Sequence, residues 1–329
     1  MKISIAMATY NGSKFLQEQL ASFLKQTRLP DEVIVCDDGS TDETSNILSD
    51  FREKAPFKVQ VYKNEQNIGF VKNFEKAISL CTGDVIFLSD QDDVWFNKKL
   101  ERIEKIFFDD PGVWVVINEA EIADEFLNGT GITAAGQVSS VGLSNEKFLL
   151  GCCIAFRSCL FPLLFPIPHH IHSHDCWINT LGNILECRKF VPEILQLYRR
   201  HSTNTSSWPT TRTTRASRWC LFKEKVRLRN LQTHPLAACD SRLAQLRELK
   251  KRLESQREYL TQFLPSSFSI KDVLEKIDRA CRGNEVRRDL QTLHFRARLV
   301  RAVSFYRAGG YQQFEGILSL VRDIVGGIR

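Results

Sequence analysis

Two groups of aspartates carry the first chemical signal: Asp37-Asp38 and Asp90-Gln91-Asp92-Asp93. Each follows a short apolar run, and a polar run, Thr9-Tyr10-Asn11, follows another. Carboxylates packed this closely are costly unless a cation neutralises them. Asp90 and Asp92 alternate as D-x-D. Oxygen donors of this kind suit Mg2+ or Mn2+, ions that commonly bridge to phosphates. The chain has no G-x-x-x-x-G-K-[ST] loop and no G-x-G-x-x-G turn after a strand, so phosphate binding would rest on the metal and on basic side chains.

The elements that must position these groups follow an α/β rhythm. Strands are expected at Ile3–Ala8, Glu32–Cys36, Phe57–Tyr62 and Asp84–Ser89, with helices between them over Lys14–Lys25, about 44–52, Phe70–Cys81 and Lys98–Phe108. Ser40-Thr41-Asp42-Glu43 offers a capping box for the second helix. Strands separated by helices imply a largely parallel sheet covered on both faces, and ligands of such sheets bind beyond the strand carboxyl ends. The three polar runs stand at those ends. A further strand is expected at Val113–Ile117, a mobile loop over Asn128–Gly142 and a helix over Asp175–Leu185. Phe148–Pro168 has the length of a membrane span, but Arg157 and three prolines make it buried core and loop.

The runs ATYNG (8–12), DDGSTD (37–42), NIGF (67–70), GDVIFLSDQDD (83–93) and HDCW (174–177) resemble glycosyltransferase family 2, with its GT-A fold. SDQDDVW resembles the bacterial branch of rhamnosyltransferase-like enzymes that build surface polysaccharides. The resemblance covers roughly residues 1–205 and implies an α/β, Rossmann-like mixed sheet, mostly parallel. It implies an inverting, metal-dependent hexosyltransferase using a nucleotide-sugar donor, dTDP-rhamnose or a UDP-hexose, and a glycan or lipid-linked glycan acceptor. By the same resemblance Thr9, Tyr10 and Asn11 hold the nucleoside. Asp38 binds base or ribose with Asp37 in support, and Asn67 and Gly69 form a loop near the donor. Asp92 contacts Mn2+ or Mg2+, Asp90 lies nearer the ribose or sugar with Gln91 beside it, and Asp93 orients the donor. Gly151 and Cys152 flank the acceptor, and Asp175 is the catalytic base. His201 contacts metal or diphosphate, and Arg199 or Arg200 holds the leaving group. The Q-x-x-R-W element of processive members is missing, so the enzyme is read as non-processive.

Each of these residues also has a plainer reading. Asp37, Asp38 and Ser40 could cap the following helix, and Asp92 and Asp93 could be helix N-terminal charges. Trp95 and Trp177 pack in a core or stack on a sugar, with Trp177 the candidate beside the acceptor. His169, His170, His172 and His174 fit a loop better than a zinc site. Two other functions compete: a sugar-nucleotide nucleotidyltransferase, against which stands the lack of a Gly-rich loop with a basic residue after the first strand, and a non-catalytic binding protein with a basic tail.

Charge divides the chain. The net charge of +6 is the sum of −9 over residues 1–198 and +15 over residues 199–329. A polar Ser/Thr/Arg linker over Ser202–Ser217 marks the change, so the catalytic domain is placed at 1–205 (nucleotide half about 1–110, acceptor half about 111–205) and a basic helical domain at 206–329. Leu246, Leu249, Leu253, Leu260 and Phe263 keep a heptad-like spacing, and helices are expected over Arg287–Arg307 and Phe314–Ile328. These helices could meet an anionic membrane surface or support an oligomer, whereas no nucleic-acid-binding signature is present. Ten cysteines without a C-x-x-C pair, and no signal-peptide pattern, point to a cytoplasmic protein that can sit peripherally on the inner face of the membrane.

Overall fold

The computed structural model describes residues 1–143, 148–171, 173–204, 211–217, 219, 235–263, 268–312, 314 and 316–325. The chain divides into two compact units, Met1–Ile167 with His172–Glu224, and Pro168–Ile171 with Lys225–Arg329.

The first unit is built on β1 (Ile3–Thr9), β2 (Glu32–Asp37), β3 (Lys58–Lys63) and β4 (Val85–Ser89), which run parallel in the order β3-β2-β1-β4. Their central members are buried on both faces, which is why β1, β2 and β4 read as near-continuous apolar runs. Helices α1 (Leu16–Leu24), α2 (Thr44–Lys54), α3 (Phe70–Ser79) and α4 (Lys99–Asp109) follow the four strands in turn. Leu16, Leu20 and Phe23 of α1 and Leu100, Ile103 and Phe107 of α4 join Ile3, Val33 and Phe87 in one buried core. Beyond β4 the sheet continues through β8 (Ile154–Arg157), β6 (Val115–Ala123), β9 (Arg188–Arg199) and the two-residue β5 (Val94–Trp95), with β7 (Gly129–Thr133) paired to β6. Here the pairing is mixed: β4–β8, β8–β6, β6–β7 and β9–β5 are antiparallel, and β6–β9 is parallel.

Three expectations need correction. Asn128–Gly142 is not a loop: it holds β7 and helix α5 (Ala134–Ser140). Its glycines and threonines mask carboxylate pairing, because Glu121 accepts the Gly131 N–H at 3.0 Å and Glu119 accepts the Ala135 N–H at 2.8 Å. Those polar side chains also hid the length of β6, which runs to Ala123. The capping box before α2 does not form as read. Asp42 instead accepts from the Thr44 N–H and hydroxyl, while Ser40 turns back to Asp37.

The apolar stretch 148–168 is broken into a 3-10 turn at Gly151–Cys153, β8, a second turn and the short helix α6 (Phe161–Leu164). Arg157 in its middle donates to the carbonyls of Val113 and Phe107. No helix among the described residues is long and apolar enough to cross a membrane. Helix α7 (His174–Ile184) follows.

In the second unit, helices Pro235–Ser255 and Ile270–Thr292 pack together, with Leu246, Leu249 and Leu253 buried. Phe263, at the end of the heptad-like series, is 45% exposed. The expected helix Arg287–Arg307 is in fact two, because the backbone turns extended at Leu293 and His294 before Phe295–Arg307 begins. A last helix spans Ile317–Val325, and the end of the sequence reading, through Ile328, lies outside the described residues.

Candidate active site

The ends of β1, β2 and β4 meet at one edge, as their parallel register requires. Thr9 pairs with Asp37 in the ladder and its hydroxyl donates to Asp37 Oδ1 at 2.9 Å. Asp37 also accepts the Ser40 N–H and hydroxyl, so the buried Asp37 folds the turn after β2 and caps no helix. Asp38, 2% exposed, accepts from Asn64 Nδ2 and from the backbone N–H groups of Ile68 and Gly69, at 2.8, 2.9 and 2.9 Å. It pins the segment that leads into α3. Gly69 sits there at φ +84°, a conformation that disfavours side chains, and Asn67 Oδ1 accepts the same Gly69 N–H.

Tyr10 and Gln91 lock two strand ends together: the Tyr10 N–H donates to Gln91 Oε1 at 2.8 Å and Gln91 Nε2 donates to the Tyr10 carbonyl at 3.1 Å. Gly12 makes room for that amide, since a Cβ there would stand 2.3 Å from Gln91 Oε1. Asn11 adopts φ +46°, and its side chain accepts the Thr41 N–H. The Tyr10 ring is 48% exposed at this edge.

The acidic run after β4 divides into three roles. Asp92 faces the loop after β9: His201 Nε2 lies 2.8 Å from Asp92 Oδ2, and Asn204 Nδ2 donates to Asp92 Oδ2 at 3.1 Å and lies 3.0 Å from His201 Nε2. Asp90 instead gathers with Asp93 and Cys152, whose side-chain donor atoms all lie within 4.8 Å of one another. Burial, and then the charges of Asp92, Asp93 and Asp175, hold the Asp90 carboxyl well above the usual carboxylate range. Asp93 is wholly buried and turned inward: Gln196 Nε2 and the Arg199 N–H donate to its two oxygens, both at 3.1 Å. Burial and the Asp92 charge push it up to about 7.

Beneath this run lies Lys99, also buried. It donates to the Cys152 carbonyl at 3.0 Å and to Gln196 Oε1, and its ammonium sits 3.9 Å from the Trp95 ring centre. Burial pushes it down to about 8. Arg199 is likewise committed to the protein. Its guanidinium donates to the Asp92 and Glu125 carbonyls and to Glu18, over the Phe15 ring. Arg200 is half-buried and donates to the Tyr198 hydroxyl at 3.0 Å.

Asp175 opens α7. Its Oδ1 accepts the Cys176 N–H at 2.7 Å, and a Cβ placed on Gly151 would stand 3.5 Å from both Asp175 Oδ2 and His174 Nε2. The structure thus brings Gly151, Cys152 and Asp175 to the Asp90 side of the acidic run. Trp177 does not join them. It is fully buried, donates to the Leu164 carbonyl at 3.2 Å, and packs as core. Trp95 is core as well. Neither Asp92 nor Asp93 stands at a helix N-terminus, since β5 follows them.

The donor set fits a divalent cation. A carboxylate oxygen 2.8 Å from an imidazole nitrogen needs a proton or a cation between them. An imidazole nitrogen and a carboxylate oxygen are both ligands such an ion accepts, and Asn204 Nδ2 and Thr203 Oγ1 stand 3.0 and 2.8 Å from the two ring nitrogens. The family resemblance, with its Y-R-x-H run and following Asn, pointed to Asn204 beside His201, whereas sequence reasoning missed Gln196, Lys99 and Gly12. Of these only Gly12 had a local signal, its closeness to Thr9–Asn11.

The strand order and the edge site together define a GT-A fold. A solved structure with that fold, Staphylococcus aureus TarS residues 1–349 in complex with UDP-GlcNAc, superposes with a TM-score of 0.54 at 18% identity, covering 99% of this chain and 93% of that one. Residues 4–158 match the family model described as Glycosyl transferase family 2, and the domain they form belongs to that family. An uncharacterized glycosyltransferase of Nostoc, alr2836, is 35% identical over 62% of this chain and 66% of its own length. The dTDP-rhamnosyl transferase RfbG of Shigella flexneri is 36% identical over 29% of this chain and 35% of its own. The chain spans less than two thirds of the length of these curated relatives.

Proposed function

We propose that the first unit transfers a sugar, with inversion, from a nucleoside-diphosphate sugar to a hydroxyl of a glycan or lipid-linked glycan in surface polysaccharide synthesis. The observation that carries this reading is the pairing of two acidic centres at one strand edge. Asp92 with His201 and Asn204 forms one, and Asp175, with one oxygen fixed by a backbone N–H, forms the other. Family membership and the TarS complex with UDP-GlcNAc support a nucleotide-sugar donor. The relative named for dTDP-rhamnose supports rhamnose among the hexoses.

In this reading Asp175 Oδ2 removes the proton of the acceptor hydroxyl. The oxygen attacks the anomeric carbon from the face opposite the diphosphate, the carbon–oxygen bond to the diphosphate breaks, and the nucleoside diphosphate leaves. One displacement inverts the configuration. Thr9, Tyr10, Asn11 and Asp38 frame the nucleoside, Gln91 holds the Tyr10 backbone toward it, and Asn67 and Gly69 close its flank. Asp92 and His201, with Asp90 near, would hold Mn2+ or Mg2+, which supplies charge neutralisation for the diphosphate. Arg199 or Arg200 helps to hold the leaving group in this reading.

The second unit is proposed to attach the enzyme to an anionic membrane face on the cytoplasmic side, where lipid-linked acceptors present their sugars. Exposed Phe295, Leu299 and Tyr306 share one helix face with exposed arginines 296 and 307 at its flank.

The test is nucleotide release from a panel of UDP-, dTDP- and GDP-sugars, with and without Mn2+, using the protein and its Asp175→Asn and Asp92→Ala variants. Turnover with one donor, lost in both variants, is expected. No turnover with any donor, or full activity in Asp175→Asn, would refute the reading.

A further inference from the structure

His174 is 4% exposed, and neither of its ring nitrogens has a hydrogen-bond partner among the described residues. Leaving a buried polar group unmatched costs roughly 1–3 kcal/mol, so a buried ring with both nitrogens unmatched points to a missing partner. The ring is held in place from one side. It stacks on Phe74 of α3 with centroids 4.0 Å apart, and Phe70 meets it edge-on at 6.3 Å. Burial pushes its pKa below the usual imidazole value, so the ring carries a donor and an acceptor nitrogen at neutral pH rather than a charge.

Its Nε2 borders a definite place. A Cβ on Gly151 would lie 3.5 Å from His174 Nε2 and 3.5 Å from Asp175 Oδ2, so both atoms border the space that Gly151 leaves without a side chain. Asp175 Oδ1 is occupied by the Cys176 N–H, which leaves Oδ2 for a ligand. Two adjacent residues at the start of one helix thus present a carboxylate oxygen and an imidazole nitrogen side by side. Vicinal hydroxyls of a sugar ring offer the matching pair.

We propose that His174 is a specificity-determining residue for the acceptor: its Nε2 hydrogen-bonds the hydroxyl next to the one that Asp175 deprotonates. This rests on the reading of Asp175 as the base. An acceptor sugar lacking that neighbouring hydroxyl would leave His174 unmatched, and sites built on a buried hydrogen bond reject such analogues strongly.

The test uses the full chain with methyl glycosides of common hexoses and their monodeoxy analogues as acceptors. His174→Phe keeps the stack on Phe74 and removes both nitrogens, and His174→Gln restores one hydrogen-bonding group. In His174→Phe, transfer to the best glycoside should fall about tenfold or more further than donor hydrolysis by water, mainly through acceptor KM. The penalty should vanish for one monodeoxy glycoside, and His174→Gln should recover part of the loss. Melting temperature should hold or rise, because a buried unmatched group is gone. Equal loss of hydrolysis and transfer, an unchanged acceptor KM, a large fall in melting temperature, or the wild-type enzyme glycosylating none of the glycosides would each overturn the proposal. Failure of the base reading is distinct: Asp175→Asn would then retain transfer whatever His174 does.

Discussion

His201 Nε2 stands 2.8 Å from Asp92 Oδ2 across 109 positions of sequence, and Asn204 donates to Asp92 and touches the same His201 nitrogen. The contact ties the D-x-D loop after β4 to the segment after β9. Arg199 reinforces it from beneath, since its backbone N–H binds Asp93 and its guanidinium binds the Asp92 carbonyl. The loop bearing the proposed metal ligand is therefore held at both ends by one short stretch, 196–204.

Removing either member of that pair should weaken the metal site without unfolding the domain. His201→Gln and Asp92→Asn should each raise the Mn2+ concentration needed for half-maximal donor hydrolysis by about 10–100-fold. Asn204→Ala should do so less. Calorimetric Mn2+ titration in the presence of free nucleoside diphosphate checks this independently of turnover. Equal Mn2+ affinity in all variants would remove Asp92 and His201 from the metal site.

Gly12→Ala probes the Tyr10–Gln91 lock. The added Cβ meets the flexible end of Gln91, so the steric cost is small, about 1 kcal/mol or less. Swinging the amide away, however, frees the Tyr10 peptide at the nucleoside edge. The expected result is about a tenfold weaker donor affinity with a nearly unchanged melting temperature. Gln91→Leu, which also removes the amide without touching Gly12, should match it.

Gly69→Ala is a different case. Nothing lies within 4 Å of a Cβ there, yet φ is +84° with ψ 152°, a region open almost only to glycine. The substitution should cost about 1–3 kcal/mol from backbone strain alone. It should also loosen the Asp38 contacts to the Ile68 and Gly69 N–H groups. A denaturant midpoint lowered at constant slope is the readout. An unchanged midpoint would show that this turn relaxes freely.

The parts of this architecture that were legible in sequence share one property: the signal was local. The apolar runs of β1, β2 and β4 ended in polar residues, and that placed Thr9, Asp37 and Asp90 on one edge. Asp175 stood out through the HDCW run. What stayed hidden depended on pairing across distance. Glu119 and Glu121 broke the pattern of β6 because they bind amides of α5 and of the strand before it. Trp177 could pack in a core or stack on a sugar, and its bond to the distant Leu164 carbonyl marks it as core. Arg199 gave no sign of its bond to Glu18, far back in the chain. Lys99 and Gln196 gave no sign of lying beneath the acidic run, because a lysine at a helix start is usually a solvated one.

Asp42 makes an acid-side stability prediction. Burial raises its pKa, but hydrogen bonds from Ser13 and Thr44 outweigh that, and it lies at about 2 against a usual 3.8. A carboxyl depressed on folding stabilises the fold above its unfolded pKa, and that contribution is lost as pH falls through the folded value. The difference between the protein and Asp42→Asn should therefore be full at pH 5 and shrink between about pH 4 and pH 2. With partial solvent screening it should amount to about 1–2 kcal/mol. Urea midpoints at pH 5 and pH 3 measure it, and a gap that widens in acid would contradict the assignment.

The second unit yields the last prediction, on membrane attachment. Phe295, Leu299 and Tyr306 follow at i, i+4 and i+11, which places them within one face of the helix Phe295–Arg307, and they are 56%, 38% and 42% exposed. Ile317, Val321 and Val325 form a similar exposed stripe on the next helix, at 61%, 51% and 66%. Apolar stripes bordered by arginine suit a bilayer interface, where each cation adds about 1 kcal/mol toward anionic lipid and each buried apolar side chain adds more. The full chain should float with phosphatidylglycerol vesicles and not with phosphatidylcholine alone, and moderate salt should weaken but not abolish binding. Phe295→Glu with Leu299→Glu should reduce the bound fraction about tenfold while leaving donor hydrolysis in solution intact. If the doubly substituted protein floats as well as the parent, this face does not meet the membrane. If instead the parent forms a concentration-dependent dimer that the substitutions dissolve, without any vesicle binding, the stripe is a contact between two copies.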